Sequence, residues 1–227
     1  MAFALVAGSQ AAGTVTDGGT LAFSGGGALV GSNTLLIACI HLPSSATVVG
    51  ITDLLGNTWA AAVSKQGTGS GAGATINASI WFAYCATGGA NQITCDWSGA
   101  ASAQVNITEY SGFTGGVTAV HETNFSETTT TPVRGGSITT TDAGVVVCTI
   151  SFGSVFSVTA RSSGWNALTG GSRRDSQYYL AAAAGETTDG TVTCAANEAS
   201  TGVIATFYTA VSAAQTPHHA LTLGIGR

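Results

Sequence analysis

Runs of four to eight residues drawn from Val, Ile, Thr, Trp, Tyr and Phe recur along the chain, each stopped by Gly, Asn, Asp or Ser. β-Formers broken this regularly by turn-formers predict many short strands and little or no helix. Candidate strands fall at 20–23, 33–41, 50–53, 58–65, 76–85, 92–97 and 103–110. A second set falls at 136–140, 143–152, 176–183, 191–195 and 203–210. Residues 105–110 alternate apolar and polar, as a strand with one wet face does. Residues 35–40 and 145–150 are continuously apolar, which marks central strands covered on both faces. Gly56-Asn57, Gly88-Gly89, Gly170-Gly171 and Asp189-Gly190 supply turn chemistry. The Gly/Ser/Thr-rich stretch 67–74 reads as a loop or hairpin tip.

A chain of 227 residues can bury about 70% of its extended surface, enough for a sizeable core. Charge is scarce: 7% of residues, against about 25% in an ordinary domain. Disorder through charge repulsion is excluded, because 44% of the chain is hydrophobic. A basic nucleic-acid groove is not expected either. Lys65 is the only lysine, and among the arginines only Arg173 and Arg174 are adjacent. No run approaches the roughly 18 apolar residues of a membrane helix. Residues 1–8 lack the basic start and longer apolar stretch of a signal peptide, so none is expected.

The chain repeats itself in order. Residues 35–40 match 145–150, with Cys39 against Cys148, and Gly56-Asn57-Thr58-Trp59 resembles Gly164-Trp165-Asn166. Residues 80–83 resemble 177–180, 92–95 match 191–194, and 105–110 resemble 203–208. Either two sandwiches sit in tandem or two similar halves interleave in one. Each half alone would bury a small core, so the second reading is favoured. It gives a two-sheet antiparallel sandwich of jelly-roll type with an internal pseudo-repeat. The expected organisation is an N-terminal arm (1–12), one sandwich domain (13–210, halves about 13–113 and 116–210) and a C-terminal tail (211–227).

Little in the sequence points to chemistry. Cys39, Cys85, Cys95, Cys148 and Cys194 are odd in number, and most sit in apolar or β-patterned runs, so they read as reduced core residues. No CxxC or HxxxH spacing exists, and no metal or cofactor is expected. Asp53-x-x-Gly56-Asn57 could offer oxygens to calcium but reads better as a hairpin turn. His41, His121, His218 and His219 accompany no nucleophile elbow. Asp96 and Glu109, on candidate neighbouring strands, are a carboxylate pair that any sheet with a wet face can produce. An enzyme is not expected.

The string Val49-Gly50-Ile51-Thr52-Asp53-Leu54-Leu55-Gly56-Asn57-Thr58-Trp59, then Ile80-Trp81-Phe82-Ala83-Tyr84, then Glu109-Tyr110-Ser111-Gly112, resembles a class of Gly/Thr/Ser-rich β-sandwich domains. These lectin- or jelly-roll-like domains occur in virion surface proteins of tailed bacteriophages and in large bacterial secreted proteins. The resemblance spans residues 15–210 and rests on turn-and-strand signatures. It implies a fold more strongly than an activity.

The expected function is therefore a non-enzymatic structural protein of a bacteriophage virion, a capsid decoration or head-surface protein made in the host cytoplasm and released by lysis. That address reconciles a surface of extracellular composition with the absence of an expected export signal. Expected partners are the capsid lattice and further copies of the chain, with neither nucleic acid nor membrane. Phe3 and Leu5 at one end, and Leu221, Leu223, Ile225 and Arg227 at the other, are the candidate partner-docking residues. The last apolar three alternate, as in a strand added to a sheet edge. The alternative is a lectin-like module on a phage fibre or bacterial surface, with Trp59, Trp97 and Trp165 stacking on a glycan. Of these, Trp97 is expected to be the most exposed, between Asp96 and Ser98-Gly99.

Overall fold

The computed structural model describes residues 2–22, 30–43, 46–67, 76–99, 102–115, 117–118, 123–197 and 199–209. Every regular element among them is a strand. The first half forms β1 (Ala4–Thr16), β2 (Gly19–Ala22), β3 (Thr34–Pro43), β4 (Val48–Asp53), β5 (Trp59–Gly67), β6 (Ile76–Cys85), β7 (Gln92–Trp97) and β8 (Ser102–Ser111). The second half forms β9 (Val117–Thr118), β10 (Thr123–Thr128), β11 (Ile138–Thr139), β12 (Gly144–Phe152) and β13 (Val158–Arg161). It continues with β14 (Asn166–Ala167), β15 (Arg174–Ala181), β16 (Thr187–Thr188), β17 (Val192–Cys194) and β18 (Ser200–Thr209).

One large sheet has the order β1-β8-β3-β6-β5 and the other β10-β18-β12-β15-β14, with β9 also paired to β18. Position by position the two orders are the same. The small sheets repeat as well: β2-β7-β4 in the first half, and in the second β17 paired with β13 on one side and bridged at Val192 by Val133 on the other. In the first half the path swings between a large sheet, 1-8-3-6-5, and a small one, 2-7-4, with first and last strands side by side. That path is a jelly roll.

The halves stack rather than interleave. The strand order therefore gives the tandem arrangement and not the favoured interleaved one: each half supplies one large sheet whole, and the two large sheets pack face to face. Small sheets cover the outer faces. Strand alternation explains the layering. On β3, Leu35, Ile37 and Cys39 face the other half, while Leu36, Ala38 and Ile40 face the first small sheet. On β12, Val145 and Val147 face inward, while Val146, Cys148 and Ile150 pack toward the second outer layer. This two-sided burial is why both runs are apolar throughout.

Residues 4–12 are not a separate arm. They belong to β1, which pairs with β8 across a register shift between Leu5 and Gln10. Residues 182–183, expected to continue a strand, lie beyond the end of β15 at Ala181. Gly67 ends β5; the rest of the stretch 67–74, expected as a loop or hairpin tip, and the whole of 211–227, expected as a tail, lie outside the described residues.

Candidate functional site

The interface between the large sheets changes character along its strands. At one end it is apolar, built on Leu35, Ile37, Ile80, Val145, Val147 and Phe207. At the other end the same inward positions carry Cys39 and His41 on β3, and Asn106 and Gln104 opposite them on β8. Thr149 and Ser151 on β12 face Ser176 and Arg174 on β15. His41, Asn106, Thr149, Ser151, Arg174 and Ser176 are all buried. Several polar bonds cross between the halves here. Asn106 Nδ2 donates to the Thr169 carbonyl at 3.0 Å, Gln104 Nε2 to Ser172 Oγ at 2.9 Å, and Ser151 Oγ to the Asn77 carbonyl at 2.9 Å.

Arg174 is the centre of this polar end. Its side chain is 1% exposed. Nη1 donates to the Cys39 carbonyl and Nη2 to the Thr169 carbonyl, both at 3.1 Å. Burial lowers its pKa to about 10, with Cys39 and Asp175 opposing the shift, so the guanidinium stays charged at neutral pH. Among the described residues, neither ring nitrogen of His41 has a hydrogen-bond partner, and Nε of Arg174 has none. Burial, then the charges of Arg174 and Arg173, hold the His41 imidazole down at about 3. Burial also pushes the Cys39 thiol up to about 11 against the pull of Arg174. At neutral pH this cysteine and histidine are therefore a neutral thiol and a neutral imidazole, not the thiolate–imidazolium pair that nucleophilic catalysis uses.

Behind Arg174, on the opposite face of β15, Asp175 is buried and ion-paired to Arg161. Burial raises its pKa and the Arg161 contact opposes that shift. Between the halves an open cleft of about 260 Å³ is lined by residues of β1, Gln104, the 169–172 loop and Arg174.

The other residues singled out by sequence are dispersed. Phe3 and Leu5 pack into the protein's own central core, and the Phe3 ring lies 4.8 Å from that of Phe113. Leu221, Leu223, Ile225, Arg227, His121, His218 and His219 lie outside the described residues. Trp97, expected to be the most exposed tryptophan, is 3% exposed, because it continues the inward series Ile93, Cys95, Trp97. Trp165 is 7% exposed, and its Nε1 donates to Thr188 Oγ1 at 2.7 Å. Trp59 is half-buried and donates to Asp53 Oδ2 at 2.9 Å.

Asp53 is a turn hub. It also accepts from the Asn57 backbone, Asn57 Nδ2 and Asn91 Nδ2. Burial pushes its carboxyl up, but these donors outweigh it and hold the pKa below the ordinary value. Asp96 and Glu109 sit on strands of different sheets, and Glu109 is buried and takes hydrogen bonds from Ser9 and the Gly31 amide. Among the described residues no group of three His, Cys, Asp or Glu could hold a metal, and no helix is long and apolar enough to cross a membrane.

Sequence reading passed over Arg174, Gln104 and Asn106. The signal was present in Arg173-Arg174, the one basic pair. Starting the candidate strand at 174 instead of 176 places Arg174 inward by alternation.

Fold and interface together define a tandem jelly-roll β-sandwich. No family model, curated protein or solved structure matches the chain.

Proposed function

We propose that this protein is a non-enzymatic structural component of a bacteriophage virion, a capsid decoration or head-surface protein. The observation that carries this reading is where the polar chemistry lies. The buried arginine and amides hold the two halves to each other, in a chain with very few charges. Val49 and Leu54, on and beside β4, are 68% and 70% exposed, and Val155, beside the second outer layer, is 66% exposed. Both outer layers thus offer apolar side chains to neighbours. Individually weak contacts of this kind become strong when repeated over a lattice or between copies in a homo-oligomer.

The resemblance of the turn-and-strand signatures to phage surface domains supplies the setting: synthesis in the host cytoplasm and release with the particle. A glycan-binding role draws less support, because a stacking platform needs an open ring face, and Trp97 and Trp165 are buried. The test is the protein content of particles purified on a density gradient from a lysate of the native phage. The chain co-migrating with the capsid at a fixed copy number is expected. Its absence from intact particles would overturn the reading.

A further inference from the structure

We propose that the cleft between the two halves at Arg174 is a binding site for a small oxyanion, with its negative group placed against the buried guanidinium. The walls come from both halves: Gly13 and Thr14 of β1 and Gln104 of β8 on one side, the 169–172 loop and Arg174 on the other. No carboxylate is among the described lining residues. Asp175, the acidic neighbour in sequence, faces the opposite side of β15 and is held by Arg161.

Apart from Asp175 on the opposite face of the strand, the desolvated guanidinium of Arg174 meets two carbonyl acceptors and, among the described residues, no anion on its own face. The chain has only six basic residues and a net charge of −5, yet Arg173 and Arg174 stand together here. Among the described residues, buried polar atoms on this wall and on the strand beside it have no hydrogen-bond partner. Arg174 Nε has none, and neither ring nitrogen of His41, whose strand neighbour is Gln104, has one.

The cleft supplies neutral donors as well. Ser172 Oγ accepts from Gln104 Nε2 and keeps its own proton to give. A side chain at Gly171 would not fit, since a Cβ there would lie 2.3 Å from Gln104 Oε1, so the two walls approach closely at that point. At about 260 Å³ the cleft is smaller than the roughly 300 Å³ at which pockets for drug-sized ligands begin. It suits an ion of a few atoms with its water. Phosphate and carboxylate groups share the chemistry it would recognise.

The test is calorimetric titration of the full chain with inorganic phosphate, and separately with acetate, against chloride at equal ionic strength. Amide shifts of residues 169–172 are followed in parallel. Saturable binding of either oxyanion at one site, with shifts centred on 169–172, is expected, and the arm that saturates identifies the preferred group. T14W plugs the mouth from an exposed strand position and should weaken binding by at least about tenfold with an unchanged circular dichroism spectrum. R174K should also weaken it, and T14W decides the question should that variant not fold. No saturable heat beyond chloride in either arm, or unchanged binding in T14W, would overturn the proposal. The virion reading stands or falls separately, on particle composition.

Discussion

Arg174, rooted in the second half, donates to the backbone carbonyl of Cys39 in the first half at 3.1 Å, with both residues buried. A second bond from the same guanidinium reaches Thr169. Removing the side chain takes two charge-assisted bonds out of the interface and leaves a gap beside the cleft, although Thr169 keeps its bond from Asn106 Nδ2. Arg174→Met is therefore expected to cost about 3 kcal/mol. Urea melts check this, and a wild-type midpoint with an unchanged slope would show that the contact contributes nothing.

His41 predicts an acid-labile fold. Its imidazole is held at about 3 in the folded protein against an ordinary 6.5. Between those values the unfolded chain binds a proton that the folded chain refuses. Stability contributed by His41 is thus complete above about pH 6.5 and falls as pH drops toward 3, by about 1.4 kcal/mol per pH unit. Asp53, whose pKa is lowered in the fold, acts in the same direction at lower pH; Asp175, whose pKa is raised, acts against it. The His41 share is the difference between wild type and His41→Leu, measured by urea melts from pH 7 to pH 4. Parallel curves would contradict it.

All five cysteines are reduced and buried. Burial raises the thiol pKa of Cys95 to about 12 and that of Cys148 well above its ordinary value. An aromatic disulfide reagent at pH 8 should therefore find no fast-reacting thiol in the folded protein and five after denaturation, because the thiolate is the reacting form. Prompt reaction of even one thiol without denaturant would place that cysteine at the surface.

Gly202 on β18 leaves no room for a side chain. A Cβ there would sit 2.2 Å from the Arg134 carbonyl oxygen and 2.9 Å from the Gly135 Cα. Backbone cannot yield as a side-chain tip can, so Gly202→Ala should lose about 2 to 3 kcal/mol. Gly50→Ala is the control: its Cβ meets nothing within 4 Å, and its stability should stay within about 0.5 kcal/mol of wild type.

Much of the fold was legible because alternation and turns are local signals. The strands at 76–85 and 92–97 match the expected ranges, and the repeat identified β3 with β12 and β8 with β18. β1 escaped because its Ala- and Gly-rich sequence is poor in β-branched residues and its register breaks near Gly8. Trp97 was misread because its polar neighbours suggested a surface, whereas the period of two through Ile93 and Cys95 governs its direction. The contact at the polar end of the interface was illegible for a different reason. Arg174 and Cys39 are 135 positions apart, and nothing local to either indicates that they meet.

The structure makes the two halves one body, with Leu35, Ile37, Val145, Val147 and Phe207 in a shared core. Differential scanning calorimetry of the intact chain tests this most directly. A single transition whose calorimetric and van't Hoff enthalpies agree is expected, because neither half can open without exposing the face it shares with the other. Two resolved transitions, each carrying about half the heat, would contradict the account.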